Sequence, residues 1–381
     1  MRQGGPYGRR ARSRSRSHVF HTLSAECSER ERALLWQVWQ GGPTVRCDLC
    51  AHRCRIRPGE TGLCGVRRND DGVLYTLTYG CAVAAAVDPI EKKPLYHFLP
   101  GSLSFSIAAA GCNFTCSFCQ NSDISQMPRD RGLIRGSRFD PDDVVARALE
   151  TRCASIAYTY TEPTIYFEYA RDCAVRASRV GLKNVFVTNG YMTGEALDVI
   201  GADLHAANVD LKSFDDGFYR RYVGGRLRPV LDSIARLHAM GVWVEVTTLL
   251  IPGLNDSEDG LRRLAGFLAG VDPDLPWHVS RFQPTYRMLD RPATPAETVE
   301  RAVELGREEG LRFVYAGNLP SDAHGSTRCP TCGETVIERR GFHVTRMHLD
   351  AGRCRSCHGD VAGVFATAAT SLGDDGKDPT N

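Results

Sequence analysis

The chain has 381 residues, 47 Lys and Arg against 45 Asp and Glu, and a formal charge of +2. So even a balance excludes a nucleic-acid or membrane field over the whole surface, and no apolar run is long enough to span a bilayer. Fifteen cysteines are the outlying number. Most fall in tight clusters, as metal ligands do; a secreted disulfide scaffold is shorter and denser in cysteine, so a reducing, cytoplasmic setting is expected.

Residues 1–35 read as a tail. Six arginines precede residue 17 and the first acidic residue is Glu26. The composition is that of a transit peptide or a translated upstream extension, or more plainly of a disordered basic arm. Residues 44–100 form a small module with Cys47, Cys50, Cys54 and Cys64 in 18 residues, flanked by Arg46, Arg53, Arg55 and Arg57. Four thiolates so close indicate a metal, and zinc and an auxiliary iron–sulfur cluster both fit. The run Asp88–Phe98 then reads as a turn-rich linker with solvated charges.

Residues 101–319 alternate short β-branched runs with amphipathic stretches. Strands are expected at Leu103–Ala108, Ala154–Thr159, Asn184–Thr188, Ala206–Leu211, Val242–Leu250, Trp277–Phe282 and Leu311–Tyr315. Helices are expected at Pro141–Thr151, Pro163–Arg179, Pro229–Met240, Glu258–Leu268 and Pro295–Glu309. Asp140-Pro141 and Thr294-Pro295 read as N-caps with proline in the first helical position, and Gly181, Gly241 and Gly310 as glycines just past helix ends. Such alternation implies an α/β fold of parallel strands with right-handed crossovers, and about seven strands suit a partial barrel better than a complete one. Residues 320–366 carry Cys329-x2-Cys332 and Cys354-x2-Cys357, a zinc-ribbon-like pattern in which four thiolates close one tetrahedron. A second iron–sulfur cluster is the alternative there. Residues 367–381 are polar and expected to be disordered. Cys81, Cys153 and Cys173 have no partner in these patterns and are expected in the core.

The central motif is Cys112-Asn113-Phe114-Thr115-Cys116-Ser117-Phe118-Cys119. At this cysteine content a random chain yields such a triplet on the order of 0.02 times. The motif follows the first barrel strand at the end where parallel barrels keep their chemistry. Three thiolates leave one iron of a four-iron cluster open to another ligand. At these residues the chain resembles the radical SAM superfamily. The resemblance implies a partial (β/α)6 TIM-like barrel, a [4Fe-4S] cluster on Cys112, Cys116 and Cys119, and S-adenosylmethionine bound at the open iron and cleaved to a 5′-deoxyadenosyl radical that takes hydrogen from a substrate.

The resemblance also implies cofactor contacts. Glu162, in Thr159-Tyr160-Thr161-Glu162-Pro163, matches a loop that is often Gly-Gly-Glu-Pro, though a helix-start glutamate explains it too. Asn189 lies in Thr188-Asn189-Gly190, otherwise a plain β-to-α turn. Asp210 and Lys212 share a strand face and resemble the Asp-x-Lys of pyruvate formate-lyase activating enzymes; a strand-end ion pair is the plainer reading. His278 matches a histidine near the cofactor of those enzymes, and Leu250–Asp256 a backbone platform for adenine. The runs Asp88–Phe98, Gly111–Phe114 and Cys119–Asn121 are similar to the AmmeMemoRadiSam-system subgroup over residues 44–366. That subgroup implies association with Memo-like and AMMECR-type proteins; the electron would come from a flavodoxin- or ferredoxin-like donor. Two other functions compete. One is a glycyl-radical enzyme activase, which needs a wide barrel mouth. The other is a non-enzymatic iron–sulfur or zinc module, which has no need of Glu162, Asp210 and Lys212.

Overall fold

The computed structural model describes residues 30–319 and 324–366, so the arm before Arg30 and the end after Ala366 lie outside the described residues. One eight-stranded sheet organises the molecule, its strands in sequential order. They are β1 (Ala84–Pro89), β2 (Leu103–Ala108), β3 (Ser155–Tyr158), β4 (Lys183–Thr188), β5 (Ala206–Asp210), β6 (Trp243–Leu250), β7 (Trp277–Arg281) and β8 (Val314–Gly317). β2 to β8 are parallel, and β1 runs antiparallel to β2. Each strand from β2 to β7 is followed by a helix: α1 (Pro141–Glu150), α2 (Phe167–Arg179), α3 (Gly194–Ile200), α4 (Leu227–Ala239), α5 (Glu258–Val271) and α6 (Ala296–Glu308). Six βα units with an unclosed sheet make a partial (β/α)6 barrel, as expected.

Local chemistry sets the helix ends. Thr193 caps α3 by accepting from the Ala196 amide, and Ser257 caps α5 by accepting from the Gly260 amide. Gly181, Gly241 and Gly310 have φ of 83, 78 and 101° just past α2, α4 and α6, where a residue without Cβ is at ease. α6 starts one residue later than expected, with Pro295 itself at the cap position. Thr294 instead accepts from the Phe282 amide and donates to the Leu250 carbonyl, tying two strand ends together.

Other expectations change. The tail ends sooner: Glu31–Arg32 pairs with Val73–Thr76, and Ala33 is buried in the main core. Arg30–Ala82 is therefore no free-standing unit; Val45, Leu49, Ile56, Val66 and Leu74 share one core with the barrel. Asp88–Phe98 is not a solvated linker. Its first two residues end β1, and Asp88, Glu91, Lys93 and His97 are buried. The segment crosses the N-terminal end of the barrel, where the Glu245 carboxylate accepts the Tyr96 and His97 amides at 2.9 and 2.8 Å, and Asn208 donates to the Pro94 carbonyl at 2.8 Å. Charges buried at that depth persist because each is paired: Lys93 meets Asp88 at 2.6 Å and Arg339 meets Glu91 at 3.5 Å. Cys81, Cys153 and Cys173 are all buried as expected, and Cys81 is disulfide-bonded.

The C-terminal residues build a hairpin, Thr335–Arg340 with His343–Met347. It packs on β8 and the crossing segment through Tyr96, Phe313, Tyr315, Val336 and Ile337. The buried Arg339 guanidinium reaches the Tyr96 carbonyl at 2.6 Å and so ties the hairpin to the crossing segment.

Candidate active site

The strand ends bring the cysteine loop and the residues singled out in the sequence to one cavity of about 770 Å³. Cys112, Cys116, Cys119, Glu162, Asn189, Asp210, Lys212 and His278 all line it. The cysteine loop is held against the segment 222–225. The Thr115 and Ser117 amides donate to Val223 and Tyr222 carbonyls at 2.8 and 3.0 Å. Gly225 lies so close that a Cβ there would stand 2.4 Å from the Phe114 ring.

Lys212 Nζ meets Asp210 Oδ2 at 2.7 Å inside the cavity. Burial works against the lysine's charge, but Asp210 and then Cys116 raise its affinity for the proton above the ordinary range. Burial pushes the Cys116 thiol up to about 12 against the pull of Lys212, and pushes Cys112 well up, with Glu162 adding to it. Cys112, Cys116 and Cys119 face one cavity, and the set fits a cluster with one iron left open.

Glu162 is 1% exposed and caps the short helical turn Pro163–Tyr166. It accepts from the Thr164 amide at 3.1 Å, from the Thr188 hydroxyl and the Asn189 amide at 2.7 Å each, and from the Thr164 hydroxyl. Burial raises its pKa even so. The helix-start role is therefore real, and the carboxylate also faces the cavity. Tyr160 takes φ of 63°, the left-handed region that a glycine enters without strain. Its strain is held by the Asn121 amide on its carbonyl at 2.7 Å and by a hydrogen bond from its hydroxyl to Asp88. Asn189 donates to Asn113 Oδ1 at 2.7 Å and approaches Cys112 Sγ at 3.8 Å. His278 shares a 2.6 Å contact with Glu245 and stacks on Tyr315. Asn255 ties the loop after β6 to the Lys212 carbonyl at 2.7 Å, joining the expected platform to the Asp210–Lys212 strand end.

Sequence reasoning missed Glu245, Lys93 and Tyr160. Glu245 stood out as a charge inside a β-branched run, at the same strand parity as Thr247 and Leu249, both of which line the cavity. Lys93 also lines the cavity, its pKa pulled down by burial to about 8.

The two flanking cysteine sets differ in spacing. Cys329, Cys332, Cys354 and Cys357 place all four sulfurs within 4.8 Å of one another, with contacts of 3.6 and 3.8 Å. A tetrahedral zinc with sulfurs at about 2.3 Å needs edges of about 3.8 Å, so this module can hold a metal. Among the described residues no other group of three or more ligands meets that spacing. Cys47, Cys50, Cys54 and Cys64 nonetheless line a common cavity.

Residues 106–265 match the model of the radical SAM superfamily. The chain is 43% identical over 316 residues to uncharacterized protein MJ0808 of Methanocaldococcus jannaschii, covering 82% of this chain and 93% of that one. This chain belongs to the radical SAM superfamily. It is 24% identical to the pyruvate formate-lyase-activating enzyme of Clostridium pasteurianum over 168 residues, 42% of this chain and 67% of that one. Among solved structures, it is similar to a radical SAM methyltransferase from Sphaerobacter thermophilus, with TM-score 0.46 and 19% identity, covering 64% of this chain and 72% of that one. Membership makes the chain an enzyme and implies a [4Fe-4S] cluster and S-adenosylmethionine as its cofactors. Among the described residues no helix is long and apolar enough to cross a membrane.

Proposed function

We propose that this enzyme holds a [4Fe-4S] cluster on Cys112, Cys116 and Cys119 and uses it with S-adenosylmethionine to abstract hydrogen from a substrate in the barrel. The observation that carries this is the convergence of three thiols, the Asp210–Lys212 pair and Glu162 on one cavity at the C-terminal rim. Bound there, the cofactors supply one-electron cleavage of the sulfur–C5′ bond and hence a 5′-deoxyadenosyl radical. The chain's own residues do the positioning. Asp210 and Glu162 offer carboxylate oxygens to an ammonium group, and Lys212 offers a cation to a carboxylate. The cavity walls, from Leu249 to Phe342 of the C-terminal hairpin, limit water around the reacting atoms. A flavodoxin- or ferredoxin-like donor is proposed as the electron source, in keeping with the basic pocket formed by Arg46, Arg53 and Arg55 beside Trp39.

The test is anaerobic. The protein, reconstituted with iron and sulfide and reduced, is given S-adenosylmethionine, and 5′-deoxyadenosine is measured in wild type and Cys116→Ala. Product in the wild type and none in the variant is expected. No product from a verified, reduced cluster would refute the reading. The likeness to an activating enzyme favours a second reading, a protein glycine as the hydrogen donor, which predicts a glycyl-radical signal on a partner protein.

A further inference from the structure

We propose that Cys47, Cys50, Cys54 and Cys64 hold a second [4Fe-4S] cluster, packed directly behind the loop of the first. All four thiols line one cavity, together with Arg67, Asn113, Thr164 and Ile165. No three of their sulfurs meet the 4.8 Å mutual spacing of the ribbon set, so they are not gathered about one point as a single tetrahedral ion requires.

Two buried donors point to what fills the cavity. Arg67 is 2% exposed; its terminal nitrogens meet Glu168 at 2.8 Å and the Leu34 carbonyl at 2.6 Å, but its Nε–H has no partner. Asn113 is also 2% exposed, and its Nδ2 has none. Native interiors rarely leave such donors unsatisfied, because each costs about 1–3 kcal/mol. Sulfur atoms of an anionic cluster would accept both. An adjacent guanidinium, here that of Arg67, is one of the devices by which proteins stabilise and tune such clusters.

The place is as telling as the ligands. The Cys64 carbonyl would lie 3.3 Å from a Cβ on Gly111, so the two cysteine segments touch at the residue before Cys112. Gly111, at φ 112°, is the residue type that permits this approach. His52 Nε2 lies 2.9 Å from the Asn113 carbonyl, a second tie between the segments. On its other side Cys54 lines the open basic pocket of Arg46, Arg53 and Arg55.

The experiment counts metals in the reconstituted full chain, with Mössbauer spectra to define cluster type. Wild type should hold about eight irons, and the Cys112→Ala, Cys116→Ala, Cys119→Ala triple variant about four, as one [4Fe-4S] cluster. The Cys50→Ser, Cys64→Ser double variant should fall from about eight irons to about four with its ribbon metal unchanged. About four irons in the wild type with a second zinc, or about eight retained in the double variant, would overturn the proposal. The wild-type count decides even if the variants misfold. None of these readouts depends on cleavage of S-adenosylmethionine, so failure here is distinct from failure of the proposed reaction.

Discussion

Substituting His97 by glutamine should remove a pH-dependent weakness that the fold has built into the contact between barrel and C-terminal module. His97 is fully buried; Nδ1 lies 2.6 Å from the Ala362 carbonyl and Nε2 2.5 Å from the Tyr315 hydroxyl. A neutral ring satisfies both, with Nδ1–H donating and Nε2 accepting. Burial, opposed in part by Glu245, lowers its pKa from 6.5 to about 4. The unfolded chain therefore binds a proton that the folded chain refuses, and stability falls as pH drops from the unfolded value toward the folded one. At about 1.36 kcal/mol per unit, the loss from this group between about pH 7 and about pH 5 is about 2 kcal/mol. Glutamine offers a donor and an acceptor but does not titrate. Urea unfolding followed by tryptophan fluorescence reads the site, since Trp243 stacks on His97 at 6.2 Å. The variant should be less stable near neutrality yet lose about 2 kcal/mol less than wild type on acidification. Groups remote from His97 titrate equally in both proteins and cancel in the difference, and Glu245, whose pKa is lowered by His278 before His97, keeps its main partner. Parallel stability–pH curves would refute the argument that His97 is held neutral by burial.

Two predictions concern the active site. Asp210→Asn takes the charge from the partner of Lys212 and, if the pair grips S-adenosylmethionine, should raise its KM roughly 10-fold or more, with iron content unchanged. Deoxyadenosine formation against cofactor concentration measures this, and an unaltered KM would remove Asp210 from the site. Gly225→Ala drives a Cβ into the buried Phe114 ring between Cys112 and Cys116 and should cost about 1–3 kcal/mol and lower iron retention. Thermal melting and iron per chain check it, with Gly270→Ala, whose Cβ would meet nothing within 4 Å, as the control.

Much of this was legible before any coordinates. The spacing of Cys112, Cys116 and Cys119 after a β-branched run, and the alternation that follows, determined the barrel and the rim on which its chemistry sits. The ribbon's paired C-x2-C knuckles determined a four-sulfur site, since a knuckle can turn its two thiols only toward a shared centre. Period-2 patterning placed Asp210 and Lys212 on one face, and the pair does meet, although Lys212 lies just past the end of β5 and reaches Asp210 from the turn. Local patterns of this kind are short-range, and they survive in one dimension.

What only the tertiary structure decided is long-range. Asp88–Phe98 reads as polar and exposed because no local pattern announces that Glu245, some 150 residues on, will accept its amides. Nothing local to Arg339 announces that the fold carries it across to Glu91 and Tyr96. Cys47, Cys50, Cys54 and Cys64 announce a metal, but their separation, and the two orphaned donors beside them, exist only once Arg67 and Asn113 are brought to the same cavity. The physical reason is the same in each case. A buried charge or donor is stable only with a partner, and the partner is chosen by the packing of distant segments rather than by the neighbours in sequence.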